Sequence, residues 1–168
     1  MERPAPGSAG AHAMDIGLIS DTHGRLRPEV FDRLRAVEHI LHAGDVGSAE
    51  ILAELEVLAP VTAVWGNTDG FDLRSRLPEA ARLELQGRRI LVVHGHQLGS
   101  PTAAGLVAAY PGFDVIVYGH THRPRIEREG GVLVVNPGAA GPARFGLPPS
   151  VGVLALSTDG ARATVLPL

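Results

Sequence analysis

The feature that most constrains this chain is a repeated pairing: a short apolar run, then a loop bearing Asp, Asn or His. The loops are Ser-Asp-Thr-His-Gly at 20–24, Ala-Gly-Asp at 43–45, Gly-Asn-Thr-Asp at 66–69, His-Gly-His at 94–96 and Gly-His-Thr-His at 119–122. The runs before them are too short for stable helices and read as buried strands. Met14 to Gly24 sets the pattern. Its apolar half ends at a turn, and Asp21 and His23 follow two residues apart. In an extended segment such residues point the same way, so a carboxylate and an imidazole can converge on one cation. Taken singly, each loop also has an ordinary reading: Asp45 and Asp69 as turn residues, Asn67 as a left-handed residue, His42 or His94 as a capped histidine. Five such loops in succession point to a site.

Segments of helical spacing lie between the early runs. Val30, Phe31, Leu34 and Val37 follow Pro28, and Ile51, Leu52, Leu55 and Leu58 follow Ser48, a candidate N-cap. The order strand, helix, strand, helix, strand from Met14 to Trp65 predicts βαβ units whose parallel strands bring their C-terminal loops to one edge. The second half reads as hairpins. Gln86-Gly87 joins Arg82–Leu85 to Arg88–Val93, Glu129-Gly130-Gly131 joins Arg125–Arg128 to Val132–Val135, and Ser157 to Gly160 joins Val151–Leu156 to Ala161–Leu166. Pro101 to Ala109 reads as a helix, and the Gly- and Pro-rich stretch Gly138 to Ser150 as the mobile loop.

At 168 residues, 45% hydrophobic and 20% charged, the chain fits one domain with a real core. Residues 1–13 read as a disordered leader, His12 included, and 14–168 as the domain; Met14 suits an alternative start. No signal-peptide h-region precedes it, and no run approaches the roughly 18 apolar residues of a membrane span. The formal charge of −3 argues against a nucleic-acid partner held by bulk electrostatics. Every cationic side chain is arginine, for which we have no functional account. Without cysteine, any metal must use N and O ligands, and the composition fits a reducing, cytoplasmic compartment.

In order, DxH, GD, GN, H and GHxH resemble the motifs of the calcineurin-like metallophosphoesterase superfamily and, within it, the small YfcE-like phosphodiesterases. The resemblance runs from Met14 almost to the end. It implies a four-layer α/β/β/α sandwich, two mixed sheets flanked by helices, with a dinuclear metal site at strand C-terminal ends. It further implies that Asp21, His23 and His122 bind one ion, that Asn67, His94 and His120 bind the other, and that Asp45 bridges both. Such a donor set suits Mn first, with Fe, Zn, Ni or Mg as other occupants, better than a calcium cage. The activity implied is metal-dependent phosphodiester hydrolysis by in-line attack of a metal-bridging hydroxide, with Asp45 and Asn67 in the catalytic set and a small phosphate ester as substrate. The alternatives are a phosphomonoesterase, a cyclic-nucleotide phosphodiesterase, or a non-catalytic scaffold such as the retromer subunit that shares this fold; the filled ligand set favours the enzyme.

Where many members of the superfamily carry His after the motif Asn, this chain has Thr68. His96 is then the local candidate for acid or supporting donor, or it closes the turn after His94. Arg144 and Arg123 each read as a phosphate contact or a structural ion pair. His42 reads as orienting a loop and His39 as a strand-start residue. Ala139 stands where the subgroup's Asn-Pro-Gly-Ser loop has Ser, and the apolar residues of 71–77 offer a contact for a homo-oligomer.

Overall fold

The computed structural model describes residues 13–168, so all of the expected 1–13 leader but Ala13, His12 included, lies outside the described residues. Two five-stranded mixed sheets face each other. The first, in spatial order β10-β9-β1-β2-β3, contains β1 (Met14–Ile19), β2 (His39–His42), β3 (Val61–Ala63), β9 (Ser150–Ser157) and β10 (Gly160–Pro167). The second, in order β4-β5-β6-β8-β7, contains β4 (Ala80–Leu85), β5 (Arg88–Val93), β6 (Val115–Val117), β7 (Arg125–Glu129) and β8 (Val132–Asn136). Strands β1, β2 and β3 run parallel, as do β5, β6 and β8. Two bundles of C-terminal ends therefore meet at one edge.

Alternation along the strands makes the layers. Ile16, Leu18 and Leu41 of one sheet pack against Ile90, Val92, Val115, Val117, Leu133 and Val135 of the other in the central core. Their neighbours face outward. Ile19 and Ile40 meet Val30 and Leu34 around α1 (Glu29–Arg33), Ile51 and Leu55 of α2 (Ala49–Leu55), and Leu73 of α3 (Phe71–Arg76). Leu91, Val93, Ile116 and Val134 meet Ala103 and Leu106 of α4 (Ala103–Ala109). Strands buried on both faces need continuous apolar runs, which is why these segments lack polar alternation. At Gly17 a side chain would crowd Leu34 and Ile40.

The helices span only five to seven residues, too short to persist without their buried faces. Thr102 caps α4, accepting from the Gly105 N–H at 3.0 Å, whereas Ser48 occupies the N-cap position of α2 without a hydroxyl bond. The spacing did not reveal α3. Its Leu73 and the half-buried Leu77, four residues apart, turn to the core, so the apolar surface expected over 71–77 reduces to Phe71. Nor is the stretch from Gly138 to Ser150 uniformly exposed. Ala139, Ala140 and Gly141 are buried, with Ala140 and Gly141 donating to the carbonyls of Ser20 and Asp21. Among the described residues no helix is long and apolar enough to cross a membrane.

Candidate metal centre

The loop after β1 is laced to the loop after β2 by three backbone bonds: Asp21 N–H to Gly44 O, His23 N–H to Asp45 O, and Gly24 N–H to Val46 O. This ladder fixes where Asp21, His23 and Asp45 stand, and Gly119 N–H to His94 O ties the two loops of the second sheet in the same way. Asp21, His23, Asp45, His120 and His122 all have φ between 48° and 73°. Left-handed backbone is uncommon outside glycine, although Asp and His take it more readily than most residues, and it collects at functional sites. Here it falls on five residues of the loops that meet at this edge.

Each carboxylate has one oxygen pinned and one turned to the histidines. Asp21 Oδ2 accepts from Ser20 Oγ at 2.7 Å and from the His120 N–H at 3.1 Å. Its Oδ1 has no hydrogen bond and lies 3.3 Å from His122 Nε2, 3.7 Å from His23 Nε2 and 3.9 Å from His94 Nε2. Asp45 Oδ1 accepts from the Thr68 N–H at 2.9 Å, while Oδ2 lies 3.2 Å from His94 Nε2 and 3.8 Å from His23 Nε2. His94 Nδ1 donates to the Ala43 carbonyl at 2.8 Å, which turns Nε2 to the carboxylates and, in the neutral ring, puts the lone pair there.

Charge follows the same geometry. Burial alone would raise the Asp21 carboxyl, but His122, His23 and His94 reverse it and hold it far below the usual range. Asp45 is also held low against burial, by His94 and the Thr68 N–H. Burial would lower His94, yet the two carboxylates outweigh it and hold it up. Two buried carboxylates thus draw positive charge into one place.

That environment suits a cation. Asp21, His23 and His122 offer atoms all within 4.8 Å of one another, and so do Asp21, Asp45 and His94. The buried Asp21 Oδ1 and His94 Nε2 lack any hydrogen-bond partner, the condition expected of atoms that serve as ligands. The donors are carboxylate and imidazole, as transition-metal dications prefer.

The other candidates flank this centre. The His120 ring stands edge-on to His94 at 5.2 Å, and Asn67 is exposed on the rim, its carbonyl accepting from Arg74 Nη2. His96 opens a 3-10 turn, His96–Leu98, with its ring 5.5 Å from His94 and 5.4 Å from Trp65. Burial and His94 push both His96 and His120 down. His42 stays outside the centre. Its Nδ1 accepts from the Gly44 N–H, which puts the ring proton on Nε2, directed to Thr22 Oγ1; Thr22 in turn donates to Val46 O. Fully buried, His42 is pushed down to about 4 and holds the loop after β2 as a neutral ring. His39 pairs with Thr62 at 2.8 Å, and burial lowers it too. Arg123 and Arg144 are exposed.

Sequence reasoning passed over Asp69 as a turn residue. Its buried carboxylate accepts from the N–H groups of Val46, Gly47 and Gly66 at 2.9 to 3.1 Å, binding the Asp45 loop to the Asn67 loop. The only signal was its place two residues after Asn67. Phe145 was also passed over: its ring stands 5.9 Å from His122, nearly perpendicular to it.

These features define a class. The calcineurin-like phosphoesterase superfamily domain matches residues 14–159, and the chain belongs to that family. A probable metallophosphoesterase of Methanothermobacter thermautotrophicus is 37% identical over 160 residues, spanning 91% of this chain and 92% of its own. Among solved structures, an archaeal phosphodiesterase is 31% identical with a TM-score of 0.70, covering 91% of this chain and 100% of that one. Vps29 of Entamoeba histolytica, solved in complex with zinc, is 25% identical with a TM-score of 0.73, covering 92% and 99%.

Proposed function

We propose that this chain is a metal-dependent phosphodiesterase. Asp21, His23 and His122 would hold one divalent cation, Asn67, His94 and His120 the other, with Asp45 shared between them. The observation that carries this reading is the pair of buried, unpartnered atoms, Asp21 Oδ1 and His94 Nε2, facing one centre with the His94 tautomer already set by Ala43. Mn is the first occupant to test and Zn the second, given the zinc in the Vps29 relative. Bound cations would supply Lewis acidity toward phosphate oxygens and lower the pKa of a water toward about 7.

The chain's own residues supply the rest. Asp69 and the Thr68 N–H hold the Asp45 and Asn67 loops in register, and Ser20 and the His120 N–H fix the Asp21 carboxylate. His96, its ring 5.5 Å from that of His94, is the group to hydrogen-bond the departing oxygen. His96→Ala should slow turnover of a diester with a poor leaving group by about 10²-fold while metal content stays the same; unchanged turnover would remove His96 from that role. The likeness to Vps29 keeps the scaffold reading as the competitor. Hydrolysis of an aryl diester and an aryl monoester by metal-stripped protein titrated with Mn²⁺, with Asp45→Asn alongside, separates the readings. Metal-dependent diester turnover, lost in the variant, is the expected result. Two bound ions without turnover would favour the scaffold.

A further inference from the structure

Phe145 breaks two rules at once. It is 70% exposed, and its φ is 58°. A left-handed conformation is ordinary for Asn, Asp or Gly and a true outlier for a bulky apolar residue. The local cause is a tight turn: Leu147 N–H bonds to Arg144 O, and the two central residues, Phe145 and Gly146, both have positive φ. The Gln86-Gly87 hairpin is the same kind of turn, with φ of 52° and 72°. There a polar residue, half-buried, fills the first position. At 145 a phenylalanine takes that position, and its ring stands edge-to-face with His122, one of the converging histidines.

The opposite flank of the site makes a useful contrast. Trp65 lies beside His96, but the Arg74 guanidinium sits over its ring at 4.5 Å. Arg74 is itself held there by bonds to the carbonyls of Asp69 and Asn67. That indole has its partner. Among the described residues, Phe145 is the aromatic side chain that combines contact with the centre and a largely open ring.

We propose that Phe145 selects the substrate: its open ring takes an aromatic ester group of the phosphate, aryl or nucleobase, while the phosphate lies against the His122 side of the centre. This rests on the phosphoesterase reading above and names the substrate class for it. An aromatic group over one ring gains stacking without requiring a defined hydrogen-bond pattern, so the site would favour aromatic esters broadly over alkyl ones.

The test uses two anions that differ only in the ring, phenylphosphonate and methylphosphonate, titrated calorimetrically into the Mn²⁺-loaded full chain. Wild type should bind the phenyl compound about tenfold more tightly, the scale of one aromatic stack. Phe145→Ala should lose that preference with methylphosphonate affinity kept within about twofold, and Phe145→Asn, which suits the turn better, should do the same. Phe71→Ala, at a position 87% exposed on α3, should change nothing. A preference that survives in both Phe145 variants, or wild type that shows none, including failure to bind either anion, overturns the proposal. Aryl diester turnover in the same samples reports on the hydrolase reading separately. Turnover without a ring preference sinks only this inference, and a ring preference lost in Phe145→Ala without turnover sinks only the hydrolase.

Discussion

The two edges of the sandwich solve the same backbone problem differently. At the hairpin edge, sharp reversals at 86–87 and 130–131 take left-handed backbone, and three of those four positions are glycine. At the other edge, left-handed backbone falls on glycines such as Gly24, Gly44, Gly47 and Gly95, but also on Asp21, His23, Asp45, His120 and His122. Glycine would be easier at each of these five. The contrast shows what the loops are for: at one edge the conformation serves the turn, and at the other it also serves side chains, with left-handed backbone taken where a carboxylate or imidazole must face inward.

Replacing residues across that contrast tests it. The largest effect should come from His23→Gly, which relaxes the backbone and deletes one proposed ligand. Turnover should fall about 10³-fold, in line with the several kcal/mol that metal ions contribute to such reactions, while stability of the metal-stripped chain in urea changes by less than about 1 kcal/mol. A large stability loss with retained turnover would reverse the assignment of that conformation to function. Next comes Asp69→Ala, which leaves the Val46, Gly47 and Gly66 N–H groups without their acceptor. We expect a loss of about 2 to 3 kcal/mol by denaturant melt, and metal affinity about 10- to 100-fold weaker, as for other groups that hold ligand loops. Unaltered metal affinity would show that the loops keep register without it. The smallest effect should be Gln86→Gly at the hairpin edge: a gain of up to about 1 kcal/mol with activity unchanged. A loss of activity there would mean that the two edges are coupled.

Much of this was legible in the chain, and the limits have physical causes. Strands β5, β6 and β8, buried on both faces, announced themselves as continuous apolar runs, and the Gln86-Gly87 turn fixed its hairpin. Helix α3 did not, because within it only Leu73 is buried, while its first residue, Phe71, is exposed. The converging set Asp21, His23, Asp45, His94 and His122 could be anticipated from motif order at strand ends. Asp69 could not, since accepting three N–H groups from other loops is a property of the assembled edge. Phe145 sat in a Gly- and Pro-rich stretch that reads as mere connection; only the fold brings that stretch against His122.

The central claim is that two ions share this one centre. Metal-stripped protein should be reloaded with Mn²⁺ and examined by elemental analysis and electron paramagnetic resonance. The account predicts two ions per chain with a spin-coupled spectrum, reduced in Asp45→Asn to at most one uncoupled ion. A wild-type chain that binds a single isolated ion, or none, would contradict it.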